Sequence, residues 1–160
     1  MAESNDDKEV LVQFLQRQFQ TTHELTEWFV SFRDAVKNLT DSQAKQKVHE
    51  SLPTIFEIVT HLTYWNERHL RRIQKQNFDT ALKDNVGSFV KTTHTDWLQL
   101  YAKADSVFGE WLTTFAVPAQ FTNADLAIVQ NIITHNAYHI GQIVFIRKLQ
   151  GSWDSDSGVK

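Results

Sequence analysis

His135 and His139 stand four residues apart in the segment His135-Asn-Ala-Tyr-His139-Ile-Gly-Gln142, so in a helix their imidazoles project from one face, one turn apart. Two such rings can grip a divalent metal when a third ligand arrives from another helix. His61, within the stretch Thr54-Ile-Phe-Glu-Ile-Val-Thr-His61-Leu-Thr-Tyr-Trp65, is the leading candidate for that ligand. At about 100° per residue it lies about 60° from Ile58 and about 40° from Trp65, on the shoulder of the apolar stripe. His69 falls near the Leu62 direction and is the rival. Seven histidines in 160 residues make one such pair unexceptional by itself, and its placement is what gives it weight. Both rings align with Ile128, Ile132, Gln142 and Ile146, and an unpaired ring on an apolar stripe is costly.

Three neutral imidazoles that leave a position open on a metal would support catalysis or ligand binding. The competing structural account has each ring hydrogen-bonded to a neighbour such as Asn131, Gln142 or Glu57. Glu57, four residues before His61, and Asn131, four before His135, share helix faces with them and are candidates to orient the ring nitrogens. Other chemistries lack their residues. Asn136 follows His135 where an H-E-x-x-H protease needs its glutamate, and there is no Gly-x-Ser-x-Gly elbow. The absence of cysteine excludes a disulfide framework, a thiolate metal site and a cysteine nucleophile. Trp65, Trp97, Trp111 and Tyr138 read as packing residues, and Arg68, Arg71 and Arg72 as a solvated face, with an anionic substrate as the alternative.

The elements that must position these residues are helical. Val10, Phe14, Leu15, Leu25, Phe29, Phe32, Val36 and Leu39 recur at three- or four-residue spacing, which predicts a long first helix from Asp6 to about Leu39, bent near Thr21-Thr22. A turn or short helix fills Thr40 to Glu50. The second helix runs from about Pro53 to Gln76 on Ile55, Ile58, Val59, Leu62, Trp65, Leu70 and Ile73. Asn77 to Lys91, with Asp84-Asn85-Val86-Gly87-Ser88, is a turn-rich stretch expected to cross one end of a bundle. A third helix covers about Thr92 to Phe115 and stops before Pro118. The fourth starts at the capping box Thr122-Asn-Ala-Asp125 and ends at Gly151. No strand alternation, phosphate loop or internal repeat interrupts the pattern, so the expected fold is all-α, a four-helix bundle in one domain over 1–160, with 152–160 as a loose tail.

Hydrophobic content of 41%, with eleven Phe and five Trp, is enough for a sizeable core, so any metal is expected to be functional. A net charge of -3 without an extended basic face gives no sign of phosphate-backbone binding, and nucleic acid is not an expected partner. No stretch approaches the roughly 18 apolar residues of a membrane span, and no basic start precedes an apolar core. A cytoplasmic protein without membrane contact is expected.

His61-Leu-x-x-Trp65 in the second helix, together with His135-x-x-x-His139-x-Gly-Gln142 in the fourth, resembles the DinB-like (DinB/YfiT) superfamily of metal-binding four-helix bundles. Helix order agrees from roughly residue 8 to 151. The resemblance implies a divalent transition metal (nickel, zinc or iron) held by His61, His135 and His139 at one end of a bundle cavity, and a homodimer. It also implies a small-molecule substrate. Relatives with known chemistry transfer a low-molecular-weight thiol to electrophiles, one is a mycothiol-dependent isomerase, and others are described as metal-dependent hydrolases. Asn66-Glu67 follows Trp65 where many relatives place an acidic residue directly. The function expected on this basis is a metal-dependent thiol transferase or hydrolase. Its alternatives are a non-catalytic metal- or ligand-binding stress-response bundle and a purely structural helical module.

Overall fold

The computed structural model describes residues 5–78, 82 and 84–159; of the stretch 77–91, positions 79–81 and 83 lie outside the described residues. Four long helices carry the fold: α1 (Asn5–His23), α4 (Ile55–Ile73), α5 (Trp97–Phe115) and α6 (Asn123–Leu149), with the short α2 (Phe32–Ala35) and α3 (Asp41–Lys45) between the first two. Among the described residues there is no strand, and none of the helices is long and apolar enough to cross a membrane. Helix α1 packs against α5 and α6, and α4 packs against the same two, which places α1 diagonally across from α4.

Local signals set most helix ends. Thr54 and Glu57 form a reciprocal capping box that starts α4, and Thr122 and Asp125 do the same for α6. Glu57 is therefore committed to the Thr54 amide at 2.7 Å and does not orient His61. Helix α6 closes on Gly151, whose φ of 67° suits glycine; the Gly151 and Ser152 amides donate to the Lys148 and Arg147 carbonyls. Ser152, at the head of the expected tail, accepts from Arg147 Nη2 at 2.7 Å, and Trp153 lies against the same guanidinium.

The first helix is shorter than its periodicity suggests. Thr21 and Thr22 turn their hydroxyls onto the Gln18 and Phe19 carbonyls, which competes with helix continuation. His23 then anchors the end by pairing Nε2 with Asp105 of α5 at 2.8 Å. The chain resumes as α2 only after Ser31 caps the Asp34 amide. The buried face of α1 is Val12, Leu15 and Phe19, whereas Val10 and Phe14 are exposed. Helix α5 also starts later than expected, at Trp97, because Asp96 caps the Gln99 amide and Asp41 takes the Trp97 amide.

Helices α4 and α5 run parallel, since Glu67 pairs with Lys103, Arg71 with Glu110 and Gln74 with Thr114 in the same order along both. The connection between them must therefore return along the bundle, about 28 Å for 19 residues of helix, and does not merely cross one end. Helix α6 runs antiparallel to both, and its two halves meet two apolar clusters. Ile140, Ile143 and Ile146 join Ile55, Ile58, Leu62 and Leu100 at one end, while Leu126, Val129 and Ile132 join Leu70, Phe108 and Trp111 at the other. Between the clusters lies a polar layer. Asn66 and Asn136, both fully buried, exchange amide hydrogen bonds of 2.7 and 3.1 Å, and Trp111 Nε1 donates to the Asn66 carbonyl.

Candidate metal centre

The polar layer opens at one side onto the histidines. Helix α4 supplies His61 and α6 supplies His135 and His139, near the middle of each helix and away from the bundle ends. Ring centroids of His61 lie 4.9 Å from His135 and 4.6 Å from His139, and His135 lies 4.6 Å from His139. Each ring offers a nitrogen within 4.8 Å of the others, and among the described residues no other belongs to the group. His69, the rival, stands outside it, stacked on Trp65 at 5.9 Å. The antiparallel crossing of α4 and α6, held in register by Asn66 and Asn136, produces this convergence.

The outer nitrogens are held in place. His61 Nδ1 lies 2.6 Å from Ser88 Oγ, whose own proton goes to the Asn85 carbonyl, so the ring is the donor and its Nε2 keeps a lone pair. His139 Nδ1 lies 2.7 Å from Gln142 Oε1, an acceptor, which leaves His139 Nε2 unprotonated in the same way; the Gln142 amide is itself fixed by donating to Tyr138. His61 Nε2 stands 2.9 Å from His135 Nε2. Nitrogens that share one ion at about 2.0–2.1 Å must lie about 3 Å apart, so the spacing suits a common divalent ion. Without one, a His135 Nε2 proton is what relieves two facing lone pairs. The His135 Nδ1 is buried and has no partner.

Burial disfavours charge on all three rings. It is the main reason that His61 is lowered to about 3, with His139 and His135 adding to the effect, and that His135 is lowered to about 4, with His139 and His69 adding to it. His139 is also lowered by burial, with the Gln142 contact opposing. The rings are neutral at pH 7, as metal ligation requires. The sign for stability follows: an unfolded histidine takes up its proton near 6.5, whereas folded His61 resists it until about 3 and folded His135 until about 4. The stabilising effect is therefore complete above about pH 6.5 and is lost as pH falls toward the folded values. Urea unfolding of chelator-treated protein should show a loss on the order of 2 kcal/mol for each of these two rings between pH 7 and pH 5. An unchanged unfolding midpoint across that interval would contradict the assignment.

Several expectations are revised by this geometry. Ser88, 27 positions from its partner, orients His61, while Glu57 does not. Phe89 stacks on one face of His61 at 4.0 Å. Neither residue carries a local signal beyond lying in the turn-rich stretch. Gln142, one of the proposed partners of the rings, does hold His139. Trp97 and Trp111 are core residues, and Tyr138, though largely exposed, meets the His139 ring edge-on at 5.0 Å while accepting from Gln142. Arg71 is occupied by Glu110 and Glu67. Asn131 lines, with Trp65, His69, Ile128, Ile132 and His135, an open cleft of about 370 Å³ beside the triad.

A model of the DinB superfamily matches residues 24–143, a span that includes all three histidines and the Ser88 segment. No curated protein and no solved structure matches the chain.

Proposed function

The chain belongs to the DinB superfamily, and on that premise we propose that it is a metal-dependent enzyme that joins a low-molecular-weight thiol, or water, to a small electrophile. The observation that supports this is the convergence of three neutral imidazoles, two of them with their outer nitrogens anchored, beside an open cleft. His61, His135 and His139 would hold a divalent ion such as nickel, zinc or iron. A bound ion of that kind supplies Lewis acidity, bringing a bound water to a pKa near about 7 and a coordinated thiol to its thiolate.

The protein's own residues do the rest. Ser88 and Gln142 fix the tautomers of His61 and His139, so their Nε2 lone pairs face the same point. Phe89 stacks on one face of His61 and Trp65 meets it edge-on, and the burial of the ring strengthens electrostatic interaction there. The cleft walls of Trp65, Ile128 and Ile132 receive the apolar part of an electrophile next to His135. The chain contains no cysteine, so a thiol nucleophile would come from solution.

The proposal includes a homodimer. Val10 and Phe14 on α1 and Tyr138, Phe145 and Leu149 on α6 are exposed on two helices that pack side by side. Turnover decides between this function and simple metal storage. Protein loaded with nickel, zinc or iron should conjugate a low-molecular-weight thiol to a chlorinated aromatic, or hydrolyse an activated ester, and the same protein treated with chelator should not. Stoichiometric metal with no turnover for any thiol or for water would reduce the function to metal or ligand binding.

A further inference from the structure

The cleft beside His135 has a neighbour. A second hollow of about 460 Å³ is lined by Arg68, His69, Arg72, Gln76 and Phe78, and His69 is common to both. The first hollow is mainly apolar, with Trp65, Ile128 and Ile132 as its walls. The second carries two cations. His69 stands at their junction with its Nδ1 buried and unpartnered.

The arginines elsewhere in the chain are matched within the protein. Arg17 meets Glu27, Arg33 meets Asp105 and Glu24, and Arg71 meets Glu110 and Glu67. Arg147 donates to the main-chain carbonyls of Ala35, Lys37 and Ser152. Arg68 instead gives Nη1 to the neutral Tyr64 hydroxyl at 3.0 Å and lies over the Trp65 ring at 5.5 Å, while Arg72 meets no carboxylate among the described residues. The two are four residues apart on α4, so both emerge from one helix face. Guanidinium groups with no carboxylate partner among the described residues, beside an apolar cleft, suit a ligand that is hydrophobic at one end and anionic at the other.

We propose that the paired hollows bind a small apolar carboxylic acid, its hydrophobic body against Trp65, Ile128 and Ile132 beside His135, and its carboxylate at Arg68 and Arg72. An uncharged apolar molecule would leave the arginines unused, and a compact polar anion would leave the apolar walls wet. That this acid is the substrate rests on the proposed metal-dependent reaction; that it binds does not, because no step of the binding involves an ion.

Calorimetric titration of 3-phenylpropionate and its uncharged analogue 3-phenylpropanamide tests this on chelator-treated and zinc-loaded protein, with metal content measured in the same samples. The acid should bind both forms, and the amide should bind about tenfold or more weakly. The double variant R68Q/R72Q should lose about tenfold or more in affinity for the acid and none for the amide. Asn131→Trp, at an exposed position of the cleft wall, should block both ligands. No binding of the acid, equal binding of acid and amide, or an acid affinity indifferent to R68Q/R72Q would overturn the proposal. So would binding that appears only with zinc and is lost in His135→Ala, which would put the carboxylate on the ion. Arginine-dependent binding by protein that takes up no metal would instead leave this site standing and remove the metal-dependent reaction.

Discussion

Untagged protein carrying both His135→Ala and His139→Ala is expected to contain no stoichiometric transition metal, where the unaltered chain carries about one equivalent per protomer. The double change removes two of the three converging rings and leaves only that of His61. Structural zinc sites with four ligands are worth about 10–16 kcal/mol, so losing two ligands should weaken binding by at least about a thousandfold. The fold should persist. Alanine is a better helix former than histidine, and α6 is held by isoleucines on both sides of the pair and by the Thr122 and Gly151 ends. Elemental analysis and far-ultraviolet circular dichroism on the same samples separate the two effects. Full metal content in the double variant would place the ion elsewhere, and loss of helicity would make the histidines structural.

Asn136→Ala should cost about 2–4 kcal/mol of stability, a large effect for a residue that touches no ligand. Asn66 would keep a buried amide facing a void, losing both reciprocal bonds, and only its Nδ2 contact to the Leu62 carbonyl would survive. Removing both amides together, as N66L/N136L, should recover much of that loss, because a polar pair replaced on both sides leaves nothing unsatisfied. The recovered protein should nevertheless bind metal more weakly, since the pair fixes the register that brings His61 opposite His135 and His139. Urea unfolding and metal titration of the three variants give the comparison. If the double leucine variant is as unstable as the single alanine variant, the amides contribute through packing and not through pairing.

The role of Asn136 is hidden in the sequence. Asn136 is visible there only as the residue that spoils a protease motif, and Asn66 as a departure from the pattern of relatives; their contact spans 70 positions. The histidines were more legible, because residues four apart on one helix share a face whatever the rest of the chain does. The choice of His61 over His69, read from helical direction and the His61-Leu-x-x-Trp65 pattern, agrees with the crossing of α4 and α6. Ser88 had no signal at all, since a serine in a turn-rich stretch is ordinary until the parallel run of α4 and α5 carries that stretch back along the bundle.

Periodicity and end signals within a few residues were sufficient for the all-helical class, the start of α6 at Thr122, its stop at Gly151 and the candidate ligands, because hydrogen bonds and side-chain faces in a helix repeat locally. Tertiary contact decided where α1 stops, at His23 against Asp105, and which of its two apolar stripes is buried. It also decided that α4 and α5 run the same way and that two asparagines and a distant serine set the geometry of the rings. Those choices depend on partners tens of residues apart, and the energy of such a contact exists only once the helices have packed.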